Sequence, residues 1–558
     1  MPISTHSGQM RRTYANWRDG AVLIALWLFC TALNFDKAFH IDDAGHLVIA
    51  QWIAHNPLHP MSGELFWGNV PEPIYVTNQP HLYFYAMAGW GSVFGWSERA
   101  MHALQSIFCL LALVGMYRLS VRFVPRWPLV PTALLAFSPA FVVNQNSMVE
   151  IPLLALWLGF FVALCGTQKS ASNLLNASIW CSAALLTKYT SLVLLLVLFL
   201  EVFRRQRLRD AAVLLVPLAT VLAWSIFNYW DYGGIHIAQR KPGGTATDAS
   251  AHWFATQAYG WLLALGAIAP AGIGLVVVGH IQSSIRLKPL RISLIALTAI
   301  IAMGAAASTA NVAFSETTVY RLTKLFFLVG GIVLVAASAG RLLKERSRAR
   351  ATHTTVDPGL ALLAVWALGA FTFIVALAPF MATRHVLLAL PPLLLLASRW
   401  LTSGASKRWL VGVVAVSSLF ATSIAMADRW YADIYRTQAV EIRQSLPPDA
   451  TVWFAGHWGW QWYATQVGML PFDPSLHKHK AGDYLVYPES VSRQDLPTDI
   501  PMTPVREVVI NPDSWFTPFA MPGASMYISS MWTLPWAVNF GNTEVFHIVY
   551  LGSAMQRK

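Results

Sequence analysis

Apolar residues in this chain gather into runs of about membrane-crossing length, separated by short polar or basic strings. A bilayer crossing takes about 20 mostly apolar helical residues, and shorter runs are accepted where neighbouring helices help. On that measure about thirteen spans are predicted, at roughly 20–36, 98–118, 127–143, 149–166, 172–187, 188–203, 211–229, 255–279, 290–309, 321–341, 357–378, 384–399 and 408–427. An odd number sets the two ends of the chain on opposite sides of the membrane. After about residue 428 the pattern changes. "ATVWFAG", "DYLVYP", "VREVVIN" and "EVFHIVYLG" are apolar or β-branched runs bounded by turn residues and read as strands, while "WGWQWYATQVG" reads as a short helix. The prediction is a polytopic α-helical membrane protein, with a membrane module over 1–427 and a small α/β domain over 428–558 on the outer face. In the latter, Trp458, Trp460, Trp462 and Tyr463 either pack and anchor or line a groove.

Composition agrees and removes other classes. With 558 residues, 56% hydrophobic and 12% charged, the chain is neither disordered nor a small cross-linked module. The net charge of +12 raises nucleic acid as a partner, but the basic residues sit in short clusters between apolar runs, so membrane lipids with anionic headgroups are expected instead. Cys30, Cys109, Cys165 and Cys181 all lie in predicted spans, against a disulfide framework or a thiolate metal site.

Charge also orients the chain. With the N-terminus cytoplasmic, the inner segments hold Arg11, Arg12 and Arg18, then Arg118, Arg122 and Arg126, Lys169 and "RRQRLR" at 204–209. They also hold Arg286, Lys288 and Arg291, "RLLKERSRAR" at 341–350, and Arg399, Lys407 and Arg408, together 22 of the 39 Lys and Arg. The first apolar run contains Trp27 and Phe29 without a small-residue cleavage site, which predicts a retained span.

On this topology the costly polar residues share the outer side. The first outer loop, 37–97, is too apolar for a free loop and predicts helices lying in the membrane interface. It carries the adjacent acids Asp42 and Asp43, then His46, Gln79 and His81. Adjacent carboxylates repel, so they either open a helix or serve a site. Glu150 begins the fourth span, as a cap or as a partner within a cavity. Lys188, in "LLTKYTSL", either snorkels or holds a phosphate. "DYGGIHIAQRKPGG" sets His236, Arg240 and Lys241 among glycines, where a basic pair suits phosphate oxygens and the histidine reads equally well as an interfacial residue. Arg384 and His385 open the twelfth span, ahead of Pro391 and Pro392, which must disturb the helix or its start.

Carboxylates, separated cations and a lipid-facing setting suit transfer of a group from a lipid phosphate to a hydroxyl. A polyprenyl phosphate leaves as a stable anion and needs cations more than acid catalysis, whereas the hydroxyl needs a carboxylate to take its proton. No P-loop and no glycine fingerprint between strand and helix is present, which favours a lipid-linked donor.

These residues resemble the integral-membrane glycosyltransferases of the GT-C class, in particular the bacterial branch similar to protein O-mannosyltransferases and to the aminoarabinose transferase that modifies lipid A. The likeness covers roughly residues 20–400. It rests on the acidic pair Asp42 and Asp43 after the first span, Asn78-Gln79-Pro80 in place of a KPP element, and Glu150 before the fourth span. Further parts are Thr187-Lys188-Tyr189, the loop from His236 to Arg240, and the Arg384 to Pro391 stretch.

The resemblance implies a GT-C fold, an undecaprenyl-phosphate-sugar donor, a cavity open to the periplasmic side of the bacterial inner membrane, and inversion at the sugar carbon. The acceptor is a glycolipid, a polysaccharide or a protein, and a monomer is expected. Asp42 takes the base position with Asp43 beside it. Lys188, Arg240, Lys241 and Arg384 serve the donor phosphate, while His46, Gln79, His81, Glu150, His236 and His385 are supporting residues. Where the related element supplies an acid or a lysine, this chain has Asn78 and Gln79, so a phosphate contact must come from elsewhere, with His81 and Lys241 as candidates. The same replacement argues against a bound divalent metal, for which His236 is the remaining contact. The alternative is a transporter or flippase of a lipid-linked saccharide. Transporters tend to show internal repeats and midplane sites, whereas these polar groups lie at one end of the spans.

Overall fold

Helix starts follow local chemistry. Ser97 accepts from the Ala100 N–H and Ser170 from the Asn173 N–H, and Asp357 caps Gly359 ahead of Pro358 in the first turn. The computed structural model describes residues 17–77, 79–166, 170–240, 251–269, 274, 316–378, 380–401, 406–476, 478–496, 500–511, 513–520, 524–527, 533–541 and 543–552. Five helices among them are long and apolar enough to cross a membrane: Glu98–Phe123, Arg209–Tyr232, Thr318–Ala351, Pro358–Leu377 and Lys407–Ser445. They turn large apolar side chains outward, among them Leu222, Ile226, Leu368 and Leu419, as lipid-facing helices do.

The other predicted spans fall on shorter elements or outside the described residues. The first is the 18-residue helix Trp17–Asn34. The span expected over 127–143 is broken, because Pro139 has no N–H to give and starts a second helix: Leu129–Ala136 stops before it and Pro139–Val143 follows. Lys188 is in extended conformation between the helix Ala171–Leu185 and a one-turn segment, Tyr189–Ser191, that leads into Leu192–Arg205. Around Arg384 the chain makes a short helix, Thr383–Val386, a single turn, and then Leu390–Leu401, so Pro391 and Pro392 begin a helix. The span at 290–309 lies outside the described residues. The helices Ala251–Ile268 and Glu316–Ala351 meet backbone to backbone, since a Cβ at Gly266 or Gly331 would strike the facing helix.

Within 37–97, the helices Asp43–His55 and Leu82–Phe94 pack together beside a hairpin of Glu64–Phe66 with Pro71–Pro73. Leu47, Ile49, Ala50 and Ile53 of the first helix are buried in protein, so it is held more by its neighbours than by an interface.

The last long helix runs unbroken from Lys407 to Ser445, through the boundary expected at 428. Beyond it a five-stranded sheet forms in the order Leu470–Pro471, Val452–Phe454, Tyr484–Pro488, Glu544–Leu551, Met502–Ile510. Val452–Phe454 is parallel to both neighbours, with Trp458–Gln466 as the crossover helix, and Glu544–Leu551 is antiparallel to both of its own. Each strand and helix read from the sequence in this region is present. The aromatic cluster of that helix packs: Trp460 is buried, Trp462 stands edge-on to Phe39, and the Tyr463 hydroxyl accepts from the Phe39 N–H.

Candidate active site

Four charged side chains from four separate segments line up. Arg384 Nη1 lies 2.9 Å from Asp42 Oδ2, and its Nε lies 3.7 Å from Glu150 Oε1. Lys188 Nζ donates to the same Glu150 oxygen at 2.9 Å. The series Asp42, Arg384, Glu150, Lys188 alternates in sign, which is how charges survive partial burial. Asp42 keeps 23% of its side-chain exposure and Lys188 18%, against 6% for Glu150.

Local structure explains each placement. Lys188 is brought out at the break between two helices, where a helical phase would have turned it elsewhere. Glu150 starts a helix directly after the buried turn Asn144–Ser147. Asp42 makes no side-chain cap, so helix capping does not account for it. The preceding residue, Ile41, holds a φ of 50°. A β-branched residue in that left-handed region carries strain of order 1–3 kcal/mol, of the kind kept near functional sites.

Arg384, Glu150 and Lys188 line a cavity of about 540 Å³, with Gln79, Arg240 and His385 also on its wall. Leu153, Phe373, Ile374 and Leu377 are among its apolar lining residues. Such a mixed lining suits a ligand with both an anionic group and hydrocarbon. Asp42 is not on the wall itself and reaches the cavity through Arg384.

The other residues singled out are less uniform. Arg240 donates to the carbonyls of Tyr75, Val76 and Thr77, tying the 74–77 segment over the cavity. His236 donates from Nε2 to the Thr77 carbonyl and accepts at Nδ1 from the Tyr189 hydroxyl, a neutral tautomer; burial pushes it down to about 4. His46 bonds the Ser147 carbonyl at 2.9 Å, and burial lowers it too. His81 is buried against Phe84 and Trp224, and among the described residues neither ring nitrogen has a hydrogen-bond partner. His385 accepts from the Ala382 N–H and packs on Phe380. Lys241 and Asn78 lie outside the described residues.

Asp43 parts company with Asp42. It is fully buried, accepts from the His40 N–H at 2.8 Å, and is pushed up to about 8 by burial. Its surroundings contain a pair the sequence reading did not single out, Lys37 with Asp428, both almost without exposure. Asn146 and Tyr527 complete that group, bonding Lys37 at 2.6 Å and Asp428 at 2.9 Å. The available signal was a lone lysine just past the first span and a lone aspartate at the end of the last. Among the described residues no cluster of three or more His, Cys, Asp or Glu could hold a metal.

No protein-family model matches the sequence, and no curated protein matches it significantly. The chain is similar to several solved structures at low sequence identity. They include ArnT from Cupriavidus metallidurans bound to undecaprenyl phosphate, with 12% identity, 87% of this chain and 93% of that chain covered, and a TM-score of 0.49. AglB from Archaeoglobus fulgidus, an oligosaccharyltransferase in complex with an inhibitory peptide and a dolichol-phosphate, has 12% identity over 83% of this chain and 61% of that chain, with a TM-score of 0.42. The S. cerevisiae protein O-mannosyltransferase Pmt1–Pmt2 complex, bound to the sugar donor, has 14% identity over 41% and 36%, with a TM-score of 0.31. These three scores are all below 0.5.

Proposed function

We propose that the chain transfers a sugar from a polyprenyl-phosphate-linked donor to an acceptor hydroxyl, at the outer face of the bacterial inner membrane. The observation that supports this most is the alternating series Asp42, Arg384, Glu150, Lys188, whose last three members line a cavity together with the apolar side chains of Leu153, Phe373, Ile374 and Leu377. Lys188 and Arg384 face the donor phosphate, and the prenyl chain runs along Leu153, Phe373 and Ile374. In the reaction the acceptor oxygen bonds to the sugar carbon as the bond from that carbon to the phosphate oxygen breaks. The bonding pair leaves with the polyprenyl phosphate, whose charge the two cations balance. The hydroxyl proton passes to Asp42, and displacement from the far side inverts the carbon. Glu150 keeps Lys188 and Arg384 at a fixed separation. The face of the membrane follows from the basic inner segments, with the site on the other side.

The test uses the purified full-length protein in detergent, undecaprenyl-phosphate sugars carrying a pentose, a hexose or an amino sugar, and an envelope extract as acceptor. Transfer by the wild type and its loss in Asp42→Asn with donor binding retained is the expected result. Undiminished transfer in Asp42→Asn removes that residue from the base position. A chain that moves the donor across vesicles without forming product is a transporter.

A further inference from the structure

The seven residues ending in the acid pair are gripped along their length by the C-terminal part of the chain. Lys37 pairs with Asp428 on the Lys407–Ser445 helix, and the Tyr527 hydroxyl donates to the same Asp428 oxygen at 2.9 Å. Lys37 also donates to the Asn146 side chain at 2.6 Å and to the Val143 carbonyl at 3.2 Å. Two residues on, the Phe39 N–H donates to the Tyr463 hydroxyl at 2.7 Å, which donates onward to Glu98 at 2.7 Å. The Phe39 carbonyl lies so close to the backbone of Gly459 that any Cβ there would collide with it. The His40 ring is boxed by Tyr435, Phe519 and Tyr527, with ring centres 6.2, 5.2 and 5.4 Å away. Immediately after these contacts comes Ile41 at φ 50°, and then Asp42 facing Arg384.

None of the gripping residues lines the cavity. A β-branched residue held at positive φ returns to ordinary backbone angles unless its neighbours over-determine it. Relaxation at Ile41 would swing the next side chain, Asp42, away from Arg384. Resting on the reading of Asp42 as the base, we infer that Tyr463, Asp428 and Tyr527 are positioning residues: the part of the chain from the Lys407–Ser445 helix onward is a socket that holds the strained turn and so aims the Asp42 carboxylate. This gives that region a task in the transfer step itself, separate from any contact with the acceptor.

The test compares Tyr463→Phe, Asp428→Asn, Asp42→Asn and the Tyr463→Phe/Asp42→Asn double variant in the full-length protein. Tyr463→Phe removes one hydroxyl and leaves the Phe39 N–H without its acceptor; Asp428→Asn is the harsher change, and should it fail to fold, Tyr463→Phe decides. The expected result is faster hydrogen exchange over residues 39–46. Turnover of the undecaprenyl-phosphate sugar falls about 10- to 100-fold at unchanged donor KM, as small misplacements of reacting groups do. The double variant loses no more than Asp42→Asn alone, because Tyr463 acts only through Asp42. Unchanged exchange, unchanged turnover, or losses that multiply overturn the inference. An inactive Asp42→Asn beside a fully active Tyr463→Phe defeats the socket alone, whereas a fully active Asp42→Asn defeats the base assignment on which it rests.

Discussion

Two charged networks begin on adjacent residues and differ in what surrounds them. The one through Asp42 runs by the buried Arg384 and Glu150 to Lys188; its last three members line a cavity, and its two ends, Asp42 and Lys188, keep partial exposure. The one around Asp43 contains Lys37, Asp428, Asn146 and Tyr527 and is closed to solvent. Charges beside a cavity can exchange partners with a ligand at little penalty, since water or a phosphate replaces what is lost. Charges in a closed interior cannot, so their arrangement serves to hold backbone in place. One network is therefore suited to chemistry and the other to geometry, and four variants separate them.

The largest effect is expected at Asp42. Asp42→Asn lowers turnover by about 10²–10⁴-fold, the range for a positioned base, with the thermal midpoint close to wild type; initial-rate kinetics and a melting scan on one preparation check both. Next is Asp428→Ala, which leaves the Lys37 ammonium buried without its partner and destabilises the fold by about 3–5 kcal/mol. Denaturant titration in detergent measures it, and a loss under 1 kcal/mol would mean the interior pair is dispensable. Lys188→Met is third: losing one charge-assisted contact to the donor phosphate weakens donor binding by about 1.5–3 kcal/mol, seen as a rise in Kd for the undecaprenyl-phosphate sugar by titration calorimetry.

The smallest effect is on the pH dependence of stability. Asp43, pushed up to about 8 by burial, keeps its proton in the folded state over a range where the unfolded chain, with an ordinary value of 3.8, has released it. The unfolded state then binds fewer protons, so stability falls as pH rises through that range. His40 has the opposite sign: burial lowers it from 6.5 to about 4, the unfolded state binds more protons between those values, and stability rises with pH there. The two trends oppose each other up to about pH 6.5, and above it Asp43 acts alone. A melting midpoint that declines from pH 6.5 to 8 in the wild type and stays level in Asp43→Asn is the expected pattern. Equal slopes in both proteins contradict it.

Much of the site was legible because membrane chains are sparing with charge. Asp42, Glu150, Lys188 and Arg384 stood out as polar residues at the edges of apolar runs, and the structure brings these four into one series. His236 and Arg240 also stood out, but their partners are backbone carbonyls of 75–77 and the Tyr189 hydroxyl, contacts between segments far apart in sequence. Lys37 and Asp428 were passed over because each alone resembles an ordinary end-of-span charge.

The apolar runs, the basic clusters between them and the strand pattern after residue 450 were set by the sequence itself, since bilayer thickness, headgroup charge and strand pleating act on local composition. Helix length was decided elsewhere: Pro139 divides one predicted span, and the last helix runs on to Ser445. The tertiary structure alone parted Asp42 from Asp43: beside a strained φ at Ile41 and the packing of distant C-terminal side chains, one carboxylate meets Arg384 and the other is enclosed. Contacts between residues about 400 positions apart leave no period or local motif to read.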